Sequence, residues 1–294
     1  NWLIYFAIFS PLFLLYPIAE VEVLARKEIF IFISFLIILN IFSLKKVEGI
    51  HYIFFSIILG ISCLIWEGVI LYLSYFISIL LVKNNFTIGK KQTIFILLSF
   101  VPTLIIFCII VSNNFDSKQV KLICESINEC YGALTYLDRS LASNIGEVTS
   151  KFQITFLIRY VLIFLIGFFP LILLICNSKF VNQFKLNKKG FFIIFFVLIF
   201  SPTLVFYLIA QDWGRWINIS YTLSLFTYIY CLKNNFIILT IPKFHYRLMN
   251  NKIILSILFI LFCFGWSPKV LINEDVSSIP LYRKSLIIIK NFSE

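Results

Sequence analysis

Charged side chains are scarce in this chain, at 13% of its 294 residues against roughly 25% in soluble domains, and the 14 acids are outnumbered by 25 bases. With 61% hydrophobic residues and a mean hydropathy of +0.97, that scarcity excludes an ordinary soluble globular domain. Histidine is nearly absent, and neither His51 nor His245 stands at a Cys/His spacing that would hold a metal. Glycine, at ten residues, forms neither a phosphate-cradling loop nor a nucleophile elbow. Short segments of alternating polarity are missing, which excludes a transmembrane β-barrel. A small-residue cleavage pattern after the first apolar run is also lacking, so no cleavable signal peptide is read there. No internal repeat and no nucleic-acid-binding module is found, and no cofactor or metal is expected.

What the chain does have is apolar runs of about 16 to 24 residues from end to end, near the roughly 20 residues that a helix needs to cross about 30 Å of hydrocarbon. The expectation is one polytopic, all-α integral membrane domain over residues 1–294. Its spans are placed at 1–19, 29–44, 50–65, 68–82, 93–112, 153–176, 191–210, 216–232 and 253–271, a bundle of about nine transmembrane helices. The chain opens on Asn1 and its one Met is Met249, so nine is taken as a minimum. The third and fourth spans are separated only by Trp66-Glu67-Gly68, and a charge followed by Gly reads as a hairpin.

The loops fall into two charge classes. Lys45, Lys46, Lys83, Lys90, Lys91, Lys179, Lys185, Lys188, Lys189, Lys233, Lys243, Arg247 and Lys252 lie in alternate loops with one acid among them, Glu48. The segments between, 20–28, Glu67, 113–152, 211–215 and the tail, carry the other thirteen acids. Short Lys/Arg-rich loops stay cytoplasmic, so the mixed-charge loops are expected to face outward. The net charge of +11 is then a topology signal, with contact to anionic lipid at the inner surface.

The outer loop 113–152 is long enough to expect structure of its own. Ile123, Ile127, Cys130, Leu134, Leu137 and Leu141 recur at three- and four-residue steps, making an apolar stripe on one amphipathic helix or a pair of short ones. Such a helix could be a lid over a site or a plain surface helix. Of seven cysteines, Cys63, Cys108, Cys176, Cys231 and Cys263 fall in spans, and Cys124 and Cys130 share this loop. An oxidising exterior would allow those two to bridge, although six residues along an unbroken helix turn them about 120° apart, so a break near Gly132 would be needed.

Several outward charges are candidates for chemistry. In Asp212-Trp213-Gly214-Arg215-Trp216, Gly214 could let the backbone approach a ligand while Arg215 presents a planar fork to phosphate oxygens and Asp212 orients it. Alternatively Asp212 caps the following helix, and Trp213 and Trp216 belong to an interfacial aromatic belt. Arg159 lies about 9 Å inside its span, where it either snorkels outward or meets a counter-charge in a functional site. Glu67 is either a solvated turn residue or a general base. Arg26-Lys27-Glu28 adds a basic pair before a span. Arg159, Glu67 and Arg215 are expected to converge on one outward-opening cavity, since shared water accommodates costly charges best. Matched mid-membrane breaks of a transporter are not evident, although Pro102, Pro170 and Pro202 are kink candidates.

Ala25-Arg26-Lys27-Glu28, Trp66-Glu67-Gly68, the Cys-bearing loop and Asp212-Trp213-Gly214-Arg215-Trp216, in that order, resemble membrane proteins of bacterial surface-polysaccharide clusters that are often assigned as Wzy-type O-antigen polymerases. Relatives often carry His before the hairpin Glu, and Trp66 departs from that. The resemblance implies a multi-pass enzyme of the bacterial inner membrane, active at the periplasmic face, joining oligosaccharide units carried on undecaprenyl pyrophosphate. It implies catalytic roles for Glu67, Asp212 and Arg215, with Arg26, Arg159, Arg139, Trp213, Gly214 and Trp216 binding substrate. Membrane lipids and other polysaccharide-assembly proteins are the expected partners, and nucleic acid is not. A polyprenyl-donor glycosyltransferase or ligase, and a non-enzymatic exporter or flippase, are the alternatives.

Overall fold

The computed structural model describes residues 2–20, 26–44, 46–86, 89–113, 117–127, 141–181, 188–240 and 251–271. These residues are helical apart from one small antiparallel sheet, as the apolar runs require. In chain order the helices are α1 (Trp2–Ile8), α2 (Tyr16–Ala19), α3 (Ile29–Phe42), α4 (Gly49–Ile65), α5 (Leu73–Lys83), α6 (Lys90–Ser112), α7 (Ser117–Ile127), α8 (Leu141–Lys151), α9 (Ile154–Cys176), α10 (Lys188–Phe200), α11 (Phe206–Ile209), α12 (Trp213–Lys233) and α13 (Lys252–Phe264). The strands β1 (Ser178–Phe180) and β2 (Ile237–Leu239) pair with Ser178 opposite Leu239.

Two helices, Gln92–Ser112 within α6 and Ile154–Cys176, are long and apolar enough to cross a membrane. Of the other segments expected as unbroken spans, 1–19 and 191–210 are interrupted, whereas 216–232 is one continuous helix, α12. The run 1–19 breaks after α1, where Pro11 cannot donate a backbone hydrogen bond, and Ser10 Oγ instead accepts from the Leu12 N–H at 3.2 Å. The run 191–210 changes to a 3₁₀ turn at Ser201–Val205, with Pro202 in its first turn, before α11. The expected hairpin at Trp66-Glu67-Gly68 is present: Trp66 is extended (φ −153°, ψ 111°), and Glu67–Tyr72 form a 3₁₀ turn leading into α5. The Trp66 indole folds back so closely that a Cβ on Gly68 would lie 2.4 Å from it, which explains a glycine there.

The centre of the molecule is α12, which packs on α3, α5, α9, α10 and α11. Nearly every side chain along it is buried, polar ones included: Asn218, Ser220, Thr222, Ser224 and Thr227. Buried polar groups generally find partners, and here several side chains on α12 brace neighbouring segments. Asn218 Nδ2 donates to Leu12 O at 2.8 Å and the Tyr221 hydroxyl to Ala7 O at 2.9 Å, which satisfies carbonyls released by the break in the N-terminal run. On the other flanks, the Tyr75 hydroxyl lies 2.9 Å from Ser224 Oγ, and the Tyr230 hydroxyl donates to Phe42 O at 3.0 Å.

The loops sort to two ends of this core. At one end Lys83 Nζ donates to Leu44 O, Asn234 Nδ2 reaches Ser43 Oγ at 3.4 Å, and the β1–β2 pair joins the segments after α9 and α12. These are the segments read as basic loops. Burial lowers the Lys83 pKa from lysine's ordinary value. The starts of α3 and α12 and the α4–α5 hairpin meet at the other end, described next.

Of the long loop, the described residues form two helical segments, α7 and α8. Val120 and Cys124 are the buried side of α7, and α8 packs against α11 through a face that buries Val148. Cys124 is disulfide-bonded. Its expected partner Cys130, and Leu134 and Leu137 of the expected stripe, lie outside the described residues, as does Arg139. Cys63, Cys108, Cys176, Cys231 and Cys263 are free thiols.

Candidate functional site

Three segments far apart in sequence place their charges together: Arg26, Lys27 and Glu28 at the start of α3, Glu67 at the hairpin, and Asp212 and Arg215 at the start of α12. Arg215 is the hub. Its Nη1 is 3.2 Å from Glu28 Oε1 and its Nη2 is 2.5 Å from Asp212 Oδ2. Arg26 Nη1 approaches the same Asp212 oxygen at 3.8 Å, and Lys27 Nζ lies 3.6 Å from Glu67 Oε2. Among the described residues three cations thus face three carboxylates.

Burial grades across it. The Glu28 and Arg215 side chains are only 4% and 13% exposed, whereas Lys27 and Glu67 are each half exposed. A buried ion pair is costly to break because the remaining charge is stranded, while an exposed pair is worth about 0–1 kcal/mol. The structural weight therefore lies on Glu28–Arg215–Asp212, and Glu67 sits at the solvated rim.

Asp212 occupies the N-cap position of α12, yet its side chain makes no capping hydrogen bond; the carboxylate is turned to the two guanidinium groups. The aromatic-belt reading of the tryptophans is corrected, since both are inside. Trp216, Phe206 and Trp66 form a triangle of near-parallel rings, Trp216 lying 4.5 Å from Phe206 and 5.9 Å from Trp66 with 5.9 Å between those two, and the Arg215 guanidinium is 4.3 Å from the Trp216 ring centre. Trp213 packs edge-on against Tyr160 at 5.1 Å and Tyr207 at 5.4 Å. An aromatic floor and wall thus hold the charged hub in place.

Gly214 is required by a close approach, though not that of a ligand. The segment after α13 crosses over it: Gly214 N–H donates to Val270 O at 3.2 Å, and a Cβ at 214 would lie 1.8 Å from Lys269 O. The Tyr160 hydroxyl reaches Lys269 O and Leu271 O at 3.4 and 3.3 Å, and Lys269 Nζ lies 3.5 Å from Glu20 Oε1. This crossing strap fastens the head of α12 to α9 and to the end of the N-terminal run.

Arg159, expected to converge with Glu67 and Arg215, has its guanidinium 5.6 Å from the Phe156 ring centre on its own helix. It is the next residue, Tyr160, that α9 sends into the site. The ion pairs bring together Arg26, Asp212, Arg215 and Glu28, and Glu67 adjoins them through Lys27. Glu28 is the principal residue that the sequence did not single out. Its signal was a carboxylate immediately before an apolar helix, where the helix dipole favours an acid. Tyr16, Tyr160 and Lys269 gave no comparable signal.

Chemically, the arrangement offers carboxylates fixed by guanidinium groups at a graded boundary between solvent and a buried aromatic interior. The Arg215 fork is already engaged at both Nη atoms, so an incoming phosphate would have to compete with Glu28 and Asp212. Among the described residues no group of three or more His, Cys, Asp or Glu is placed to hold a metal ion. No family, no curated protein and no solved structure matches the chain.

Proposed function

We propose that this protein is a glycan-polymerising enzyme of the bacterial inner membrane, a bundle of about nine membrane-crossing helices whose charged cluster faces the periplasm. In this reading it joins oligosaccharide repeat units carried on undecaprenyl pyrophosphate into O-antigen or a related surface polysaccharide, beside membrane lipids and other polysaccharide-assembly proteins. The observation that carries it is the gathering of Arg26, Glu28, Glu67, Asp212 and Arg215 at the end opposite the basic loops. The positive-inside rule puts the basic loops in the cytoplasm and the cluster outside, where lipid-linked sugars would meet it.

The geometry supports the following roles. Arg215 holds the carboxylates in register, and Arg26, on the more exposed side, is the better placed cation for a pyrophosphate leaving group. A carboxylate receives the proton of the attacking sugar hydroxyl. Helices α7 and α8, with α8 seated against α11 beside the head of α12, are suited to cover a bound glycan.

A second reading, a polysaccharide exporter or flippase, is favoured by one feature, the interrupted N-terminal run. Broken helices at depth are a mark of transporters, although the carbonyls released here are hydrogen-bonded by Asn218 and Tyr221. A ligase would share the same charge set. The deciding experiment is deletion of the gene in its source strain, with electrophoresis of surface glycans. A polymerase defect leaves single repeat units on the surface. Loss of all surface repeats with lipid-linked units retained inside supports the exporter, and long polymer left on the lipid carrier supports a ligase.

A further inference from the structure

Buried polar atoms that make no hydrogen bond gather beneath Arg215. They are Glu28 Oε2, Arg215 Nε, Trp216 Nε1, Ser220 Oγ and the hydroxyls of Tyr16 and Tyr72. Except for Arg215, these side chains belong to residues at most 4% exposed. They come from four elements around the head of α12, with Glu28 on Arg215 and Tyr16 and Tyr72 both within electrostatic range of it. The Tyr16 hydroxyl is 3.2 Å from where a Cβ of Gly214 would stand. Tyr72 lies within electrostatic range of Arg215, and its hydroxyl interacts with that of Ser220 without reaching full hydrogen-bond geometry. Leaving a buried donor or acceptor unsatisfied costs about 1–3 kcal/mol, and such groups are otherwise satisfied throughout native interiors. Six together point to a ligand group.

The set has a definite chemistry. It contains one carboxylate acceptor, two N–H donors and three hydroxyls that do both, beside stacked aromatic rings and within the ion-paired cluster. The Glu28 carboxylate in the set disfavours an anion among these atoms. Mixed donors and acceptors beside rings fit the hydroxyls of a sugar.

We propose that the polar atoms beneath Arg215 bind a hydroxyl-bearing edge of the acceptor sugar, with Glu28 Oε2 receiving the proton of the attacking hydroxyl. This rests on the polymerase reading. Arg215 Nη1 fixes Glu28 through Oε1, which leaves Oε2 to face the ligand in a set orientation. Asp212 directs its Oδ2 at two guanidinium groups, and Glu67 is at the solvated rim beside Lys27. In the step, the acceptor oxygen forms a bond to the anomeric carbon of the donor and the bond from that carbon to pyrophosphate breaks. The lipid pyrophosphate leaves with the electron pair, and the hydroxyl proton passes to Glu28 and then to water.

The test is polymerisation in proteoliposomes, with lipid-linked repeat units as donor and a fluorescent free oligosaccharide of the same repeat as acceptor, over a range of pH and acceptor concentration. Glu28→Gln should lower kcat by about a hundred- to ten-thousand-fold, the usual contribution of a general base, and abolish the acid limb of the rate profile. Glu28→Asp should restore part of the rate and the limb. Tyr72→Phe and Ser220→Ala should raise the acceptor KM several-fold with the limb intact. Glu28→Gln protein that is folded and keeps the wild-type profile overturns the proposal, as does a slow variant whose acid limb persists. Should Glu28→Gln fail to fold, an unchanged acceptor KM in both Tyr72→Phe and Ser220→Ala overturns it. Wild-type protein that makes no polymer overturns the polymerase reading together with this one, whereas active wild type with an unaffected Glu28→Gln overturns this one alone.

Discussion

Helices α6 and α12 have nearly the same length, 23 and 21 residues, and are built on opposite terms. Along α6, Leu97, Leu98, Ile105 and Ile109 are all more than half exposed, and its main packing is along α4. Along α12 even serine, threonine and asparagine are buried, and tyrosines and serines tie it to its neighbours. A helix facing lipid needs only apolar surface and internal backbone hydrogen bonds. A helix surrounded by other helices gains little from hydrophobicity in a membrane, where lipid tails are as apolar as leucine, so packing and interhelical hydrogen bonds hold it. The site grows from α12 because only there can charges be carried inward against fixed partners.

If α12 is held by specific partners, removing one should be costly. The largest effect is expected from Arg215→Met, which strands Glu28 in a buried place. Breaking a buried pair in this way costs about 3–5 kcal/mol. The companion Arg215→Met/Glu28→Gln should regain part of that loss, giving a coupling energy of about 1–3 kcal/mol, measured by SDS-titrated unfolding in mixed micelles. Equal stability of the single and double variants would show that the two side chains are not coupled. Gly214→Ala comes next: its methyl would overlap Lys269 O, and overpacking against backbone costs about 1–3 kcal/mol or more. Loss of the crossing strap should appear as faster proteolysis within 265–271, and wild-type proteolysis in a stable Gly214→Ala protein would show that the strap does not press on this glycine.

The same contrast explains what the sequence revealed. Hydropathy placed α6 and α9 to within a few residues, because a long and continuously apolar helix advertises itself through composition. The bounds of α12, 216–232 expected against 213–233 observed, were also close, yet its central position was not legible, because polarity shared between helices depends on partners 200 residues away. Asn218 reads as an ordinary polar residue until Leu12 O is found beside it. Pro11 was not among the kink candidates, and the break it makes is tolerable only through those distant bonds. At the site, charge alternation found Arg26, Glu67, Asp212 and Arg215 and assigned them to one side. It did not find Glu28, whose burial comes from tertiary packing, nor the use of Gly214, which is set by a segment 55 residues on.

The smallest expected effect is a matched pair that separates the two helices directly. Asn218→Leu removes the donor to Leu12 O, in the interrupted part of the N-terminal run where no helical N–H is on hand to replace it. An orphaned buried carbonyl costs about 1–3 kcal/mol in general, and hydrogen bonds between membrane helices average nearer 0.6 kcal/mol, so a loss of about 1 kcal/mol is expected. Leu97→Ala on α6 removes a side chain that is 63% exposed. In lipid that change leaves no cavity and strands no polar atom, and it should stay within about 0.5 kcal/mol of wild type. Both are read by the same SDS titration, with hydrogen exchange of the 9–15 segment as a local probe that only Asn218→Leu should accelerate. Equal losses for the two variants, with no change in exchange at 9–15, would mean that α12 is held by nonspecific apolar packing, and its hydrogen bonds would then be incidental to the fold.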